Sequence, residues 1–247
     1  MKRVIITGSP RTQGRSAHVA EMLFEANIDE RPEDELFLVP ISEIEVGPCI
    51  GCGACRELTD VTFRADDGAE YTEPRPRCVF DDDMQTLYDL LDDADEVTIV
   101  SPIYFSGAPA PLKCLLDRLQ PYFYADTRKA PKRPATLHVL GEGGDPHGFD
   151  PLVSEVKSAL ACAGFRLITV FDWVGKVTPQ GEITAEADEI EIAKLDPESA
   201  QKQPKQEKQA AQRKQAGQQK QQKQSKQSGQ RPKLDLYGNQ SKGKKRG

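Results

Sequence analysis

The sequence predicts an α/β protein built on a five-stranded parallel sheet with helices on both faces. Three observations carry this expectation. Short β-branched runs alternate with segments whose apolar residues recur at helical spacing. The first run, "KRVIITG" (residues 2–8), ends on glycine and has the unbroken apolar character of a strand buried on both sides. Each later run is separated from the one before by enough chain for the crossover helix that parallel pairing requires.

Taken in order, "GRSAHVAEMLFEAN" (14–27) follows the first strand, with Ala17, Ala20, Met22, Leu23 and Phe24 at roughly helical spacing. "DELFLVPI" (34–41) is the second strand. "DDDMQTLYDLLDDAD" (81–95) opens on acidic residues, which favour a helix N-terminus, and carries Met84, Leu87, Leu90 and Leu91 on one face. "EVTIVSPIY" (96–104) is a third buried strand, and "APLKCLLDRLQPYF" (110–123) reads as one helix. "ATLHVLGEG" (135–143) is a strand, "PLVSEVKSALACAG" (151–164) a helix closed by Gly164, and "FRLITVFDWVG" (165–175) a final strand. In such sheets ligands bind beyond the C-terminal strand ends, where strand order reverses. Attention therefore falls on the loops after the first, third and fourth strands.

Charge divides the chain unevenly. Residues 201–247 hold 14 Lys and Arg against 2 Asp and Glu, leaving 19 against 37 in the first 200 residues, although the total balance is only −6. The tail, with 14 glutamines and no β-branched residue, cannot bury enough apolar surface to offset its ordering entropy. The expected division is thus 1–199 for the folded domain and 200–247 for a disordered Gln/Lys-rich basic tail, with "LDLYG" (234–238) as a brief apolar island. A flexible polycation suits anionic partners such as RNA through weak, non-specific contact, but it lacks interleaved aromatics for base stacking. No apolar run approaches the roughly 18 residues of a membrane span. "MKRVIITGSP" is too short in apolar residues for a secretory signal, so a cytoplasmic protein without membrane contact is expected. In that compartment six cysteines point to metal or redox chemistry rather than to disulfides.

"TGSPRTQGRS" (7–16) links the first strand to its helix. Its glycines allow a tight turn, and its N–H groups, with the hydroxyls of Ser9 and Ser16, face whatever sits over the helix N-terminus. Arg11 can add a charge-assisted hydrogen bond, so a phosphate suits the loop; a plain serine-capped turn is the alternative. Counting excludes the P-loop, since five residues separate Gly8 from Gly14 and Arg15 stands where a lysine is required. The dinucleotide pattern G-x-G-x-x-G is absent as well. "PIYFSG" (102–107), at the end of the third strand, offers backbone N–H groups and an aromatic surface to a flat ring. "GEGGDPHG" (141–148) has more glycine than a plain connection needs, which implies close backbone approach to a ligand; His147 within it reads as a surface or capping residue.

"VGPCIGCGACRE" (46–57) sets Cys49, Cys52 and Cys55 three apart, with Gly51 and Gly53 free to let the backbone curl. A lone C-x-x-C would suit a redox pair, whereas three cysteines at this spacing suit an iron–sulfur cluster completed by a thiolate from elsewhere. Zinc fits less well, because no second knuckle or nearby histidine accompanies them. Redox or structural thiols remain open as a third reading. Cys114 and Cys162 fall on apolar helical faces and read as small core residues.

The run of "GSPRTQGRS", "CIGCGAC", "CVFDDDM" and "SPIYFSGAPAPLKCLLDRL", in that order, resembles the flavodoxin-fold NAD(P)H-dependent FMN reductases, and its cysteines resemble the iron–sulfur flavoprotein branch. The likeness covers about residues 1–175. It implies a flavodoxin-like sheet of order 2-1-3-4-5. Ser9, Arg11, Gly14 and Ser16 would hold the FMN phosphate, and Pro102, Ile103, Tyr104 and Phe105 would line the isoalloxazine. Gly141, Glu142, Gly143 and Gly144 would close its other side. Cys78, just before the "DDDM" helix, would be the fourth ligand of a [4Fe–4S] cluster with Cys49, Cys52 and Cys55. The chain departs from the compact motif of that branch by placing 22 residues between Cys55 and Cys78, within a cysteine loop spanning 47–80. A longer loop costs little closure entropy, because that cost grows only logarithmically with length.

The activity so implied is that of an FMN-dependent oxidoreductase. It would take hydride from NAD(P)H and pass electrons to a small-molecule or protein acceptor, or outward through the cluster. The alternative is a flavin or iron–sulfur electron-transfer protein without nicotinamide activity of its own. The chemistry belongs to the flavin, so no side chain is assigned a catalytic acid–base role. The resemblance also implies a homodimer or homotetramer.

Overall fold

The structure is a computed structural model, and it describes residues 1–64, 68–125 and 127–192. The tail from residue 200, its apolar island and the expected domain division all lie outside the described residues. The elements run β1 (Lys2–Thr7), α1 (Arg15–Glu30), β2 (Glu35–Pro40), β3 (Thr59–Arg64), β4 (Glu70–Arg75), α2 (Met84–Asp93) and β5 (Glu96–Pro102). They continue with α3 (Ala110–Asp117), α4 (Gln120–Tyr124), β6 (Arg133–Leu140), α5 (Asp150–Cys162), β7 (Phe165–Asp172) and β8 (Asp188–Glu191).

The main sheet has the order β2-β1-β5-β6-β7-β8. Its first five members pair in parallel, so the expected 2-1-3-4-5 arrangement is present among them. The sheet has six strands rather than five, because β8 adds an antiparallel edge along β7. "DEIE" is exposed throughout, and its one isoleucine among acids gives no strand signal. A second departure lies inside the cysteine loop, where β3 and β4 form an antiparallel ribbon. The sequence does carry a hairpin cue there: Val61 and Phe63 alternate with polar residues ahead of Asp67-Gly68, the dipeptide that favours tight hairpin turns.

Apolar side chains cover the sheet unequally. On one face Met84, Leu87, Tyr88 and Leu91 of α2 join Leu112 and Leu115 of α3 and Leu152, Val156 and Leu160 of α5 in the larger core. On the other, α1 contributes Val19 and Ala20 against Ile5, Val100 and Leu140, and the chain after β7 completes the cover with Trp173 and Val177. Tyr88, fully buried, takes the inward place expected of Leu90, which is only half-buried. Cys162 is half-buried against the larger core and Cys114 is also half-buried, so neither is enclosed as fully as expected.

The segment 110–123 is two helices rather than one. Pro121 has no N–H to donate to the carbonyl four residues back, so it ends the continuous helix and is accommodated in the first turn of α4. The break falls at Arg118 and Leu119, both buried. It turns Arg118 away from solvent and toward the cysteine loop.

Candidate functional site

The turn after β1 is shaped by two glycines. A Cβ on Gly8 would stand 2.6 Å from Cδ2 of Leu112, so α3 packs directly on this backbone; the Gly8 N–H donates to the Val100 carbonyl at 2.7 Å. Gly14 enters α1 with φ +130°, a conformation other residues rarely adopt, and no side chain caps the helix. Its first-turn N–H groups and partial positive charge therefore remain available to an anion. Ser9 and Ser16 are buried beside it, and the Arg11 N–H donates to Ser9 Oγ at 3.1 Å.

The ends of β5 and β6 meet this turn. The Ile103 N–H donates to the Leu140 carbonyl at 2.9 Å, and the Gly175 N–H donates to the Gly141 carbonyl at 2.9 Å. A pocket of about 360 Å³ opens between the three loops. Ser9, Arg11, Gly14 and Ser16 line it from the first loop, Pro102, Ile103 and Tyr104 from the second, and Gly141, Glu142 and Gly143 from the third. Gln13, Arg15 and Leu140 line it as well and were not expected. Arg15 carries a readable signal, since it occupies the place of a P-loop lysine. Its Nε donates to the Val177 carbonyl at 2.8 Å and its Nη2 to Glu142 at 3.2 Å, which ties α1 to the third loop.

Phe105 and Gly144 stand outside this lining. Residues 104–107 form a tight turn in which Tyr104 and Gly107 exchange N–H···O bonds of 3.0 Å. Phe105 and Ser106 sit at φ +50° and +65°, so both central residues are left-handed, as a type I′ turn demands. That conformation costs on the order of 1–2 kcal/mol for each residue bearing a Cβ. Ser106 is anchored, its Oγ donating to Asp145 at 3.0 Å. Phe105 is fully exposed at the tip. Asp145 also accepts the N–H of exposed His147 at 2.8 Å, which holds its carboxyl below the usual range.

The donor set of the pocket fits the phosphate of FMN: an uncapped helix start, two buried hydroxyls and two arginines line it. A Cβ at Gly141 would stand 3.3 Å from Ile103 Cδ1, so the second and third loops pack against each other there. Beneath the third loop His138 is buried and accepts the Trp173 indole N–H at Nδ1, 3.0 Å away. Burial lowers its pKa to about 4.

The cysteine loop forms a separate cavity of about 350 Å³, lined by Cys49, Cys52, Cys55 and Cys78 with Phe80, Arg56 and Tyr124. Burial, and then Cys78, push the Cys55 thiol above its ordinary range, with smaller contributions from Cys49 and Cys52. Among the described residues no three such side chains stand close enough together to hold a single metal ion.

Below the cavity, burial opposes ionisation of Asp82. The Arg118 guanidinium and the Gly47 and Met84 N–H groups outweigh it and hold that carboxyl below its usual range. Burial likewise opposes the charge on Arg118, yet its bonds to Asp82 raise its pKa.

Topology and pocket together define a flavodoxin-like α/β protein with an anion seat at its first β–α turn. The profile described as NADPH-dependent FMN reductase matches residues 1–178, and the chain belongs to that family of oxidoreductases. An iron–sulfur flavoprotein of Methanosarcina thermophila is 37% identical over 120 residues, 48% of this chain and 52% of that protein. Another from Archaeoglobus fulgidus is 31% identical over 161 residues, 64% of this chain and 63% of that protein. The chain thus spans from about half to just under two thirds of these relatives' lengths. Among solved structures, the NAD(P)H:quinone oxidoreductase of Methanothermobacter marburgensis overlays with TM-score 0.48 at 16% identity, over 72% of this chain and 88% of that one. No helix among the described residues is long and apolar enough to cross a membrane.

Proposed function

We propose that the chain is an FMN-dependent oxidoreductase that takes reducing equivalents from NAD(P)H and delivers them to a small acceptor or through a [4Fe–4S] cluster. The observation that carries this reading is the convergence of three loops on one pocket at the C-terminal edge of the sheet, with an uncapped helix start at its base. FMN bound there supplies hydride acceptance and the release of electrons. Ser9, Arg11, Ser16 and the first-turn N–H groups of α1 hold its phosphate. Pro102, Ile103 and Tyr104, with residues 141–143, would line the ring's place in the pocket. Arg15 braces the third loop through Glu142 and Val177. Cys49, Cys52, Cys55 and Cys78 are the ligands assigned to the cluster, a reading supported by their shared cavity and by the names of the curated relatives. A homodimer or homotetramer is the assembly proposed for the chain.

Anaerobic mixing of the FMN-loaded protein with NADH or NADPH tests this directly. Bleaching of the flavin absorbance with either nucleotide is expected. Bound FMN that neither nucleotide bleaches would instead assign the chain to electron carriage without nicotinamide activity. Light scattering of the same sample reads the assembly, and a monomer would remove that part of the proposal.

A further inference from the structure

The cysteines reach their cavity on two arms separated in sequence by the β3–β4 ribbon. Cys49, Cys52 and Cys55 lie on the first arm and Cys78 on the second. The second arm is fixed to α2: buried Arg77 donates to Asp92 at 2.9 Å and to Asp89 at 2.7 Å, while Gln85 Nε2 donates to the Cys78 carbonyl at 2.8 Å. Among the described residues the first arm meets the frame through Arg56, whose guanidinium lies 5.7 Å from the ring centre of Tyr124 in α4. Arg118, from the break between α3 and α4, supplies a further connection at the base of that arm. Its side chain is 1% exposed. Nη1 and Nη2 donate to the two oxygens of Asp82 at 2.7 and 2.8 Å. Nη1 also donates to the Gly47 carbonyl at 3.1 Å, and the Gly47 N–H donates back to Asp82 at 3.1 Å. The guanidinium lies 5.1 Å from the ring centre of Phe80, itself part of the cavity wall. A neighbouring stitch joins the Glu45 N–H to Asp83 Oδ2 at 2.6 Å.

We propose that Arg118, through its forked bond to Asp82 and its hold on Gly47, is a positioning residue that sets the spacing between the first arm and Cys78. The inference deepens the cysteine reading above and rests on it for the identity of the bound group. An exposed ion pair would contribute little. This one is enclosed, and its planar fork satisfies a carboxylate and a carbonyl together, which a lysine ammonium does not reproduce. Groups that orient metal ligands from behind typically change metal affinity by about 10- to 100-fold when altered.

The test compares wild type with Arg118→Lys, Asp82→Asn and, as a control, Arg133→Lys. Arg133 is a partly buried arginine that donates to the Leu91, Asp92 and Ala94 carbonyls at the far end of α2. Two readouts are taken from each full-length, FMN-loaded protein. One is the yield of the Cys55–Cys78 bridge formed by dibromobimane in metal-free chain, mapped by mass spectrometry. The other is the chelator concentration that strips half the iron after anaerobic reconstitution with iron and sulfide. In Arg118→Lys and Asp82→Asn both are expected to fall by about tenfold with FMN content unchanged, as for outer groups that aim ligands. Arg133→Lys should lower the melting temperature and leave both readouts at wild-type level. Wild-type bridging and iron retention in the Arg118 and Asp82 variants would overturn the proposal, as would an equal loss in Arg133→Lys. If wild type takes up no iron but its bridge still depends on Arg118, the positioning role stands and the cluster reading fails.

Discussion

The pocket at the sheet edge and the cysteine cavity are built by opposite means. The pocket is made mostly of main chain, at the ends of three adjacent strands whose register brings the loops together. Gly8, Gly14, Gly141 and Gly143 act there largely through what they lack. The cavity lies on irregular chain outside the sheet, and side chains hold it: Arg118, Asp82 and Gln85 reach across to backbone groups, and Arg77 to the carboxylates of Asp89 and Asp92. Backbone changes should therefore damage the first region, and side-chain charge changes the second.

The sharpest separation is expected from Cys78→Ser. Iron should drop from about four atoms per chain to under about one, because such a cluster takes four thiolates. FMN should stay at wild-type occupancy, and iron analysis with the flavin spectrum reads both; a joint loss would mean that the two regions are not independent. Leu112→Ala comes next. It removes a side chain with no exposed surface that supports Gly8, so urea unfolding should register a loss of about 2–5 kcal/mol. FMN affinity should weaken with it while the Cys55–Cys78 bridge persists.

Acid should separate the regions without mutation. His138 is neutral in the fold and has a pKa of about 4, so the unfolded chain binds its proton first. Its contribution is fully present above about pH 6.5 and is lost as pH falls toward 4, on the order of 3 kcal/mol in all. Asp82 has a depressed pKa, so its contribution is present above the ordinary carboxylate pKa and is lost as pH falls from there through the lowered value. On lowering pH from 6.5 to 4, Trp173 fluorescence should report loosening beneath the pocket; an unchanged signal over that range would contradict this assignment. His138→Gln should flatten the stability change between pH 6.5 and 4.

Smaller effects are expected from single groups at the pocket. Arg11→Ala should raise the FMN dissociation constant by about tenfold or somewhat more, the worth of one hydrogen bond to a charged group, and isothermal titration would measure it. An unchanged constant would move the phosphate elsewhere. Phe105→Asn should raise stability by under about 1 kcal/mol, because asparagine tolerates the left-handed backbone and no buried area is lost. A lower melting temperature would show that Phe105 makes contacts in solution absent from the single chain.

The parallel sheet was legible because β1 and β5 are dense β-branched runs, β6 ends on an apolar run, and each intervening helix has an apolar stripe. The phosphate turn was legible because glycines and hydroxyls crowd one β–α junction. Arg15 was missed as a pocket residue since its bonds to Val177 and Glu142 join positions far apart in the chain. Arg118 was missed for a related reason. In sequence it is one more cation on a helix, and only the interruption ahead of Pro121 turns it inward. Strand β8 draws its order from pairing with β7, and no local pattern announces it. The β3–β4 ribbon had an Asp-Gly signal, outweighed by the expectation that a cysteine-rich insertion would be loop.

Thr59 at the foot of β3 pairs with Arg75 at the foot of β4, so the detour between the third and fourth cysteines leaves and returns at one place. A long interval along the chain is therefore a short one in space. Excising residues 60–74 and joining their neighbours by a tight turn should leave Cys78 where it is. Such a trimmed protein would bring the fourth cysteine near the other three in sequence as well.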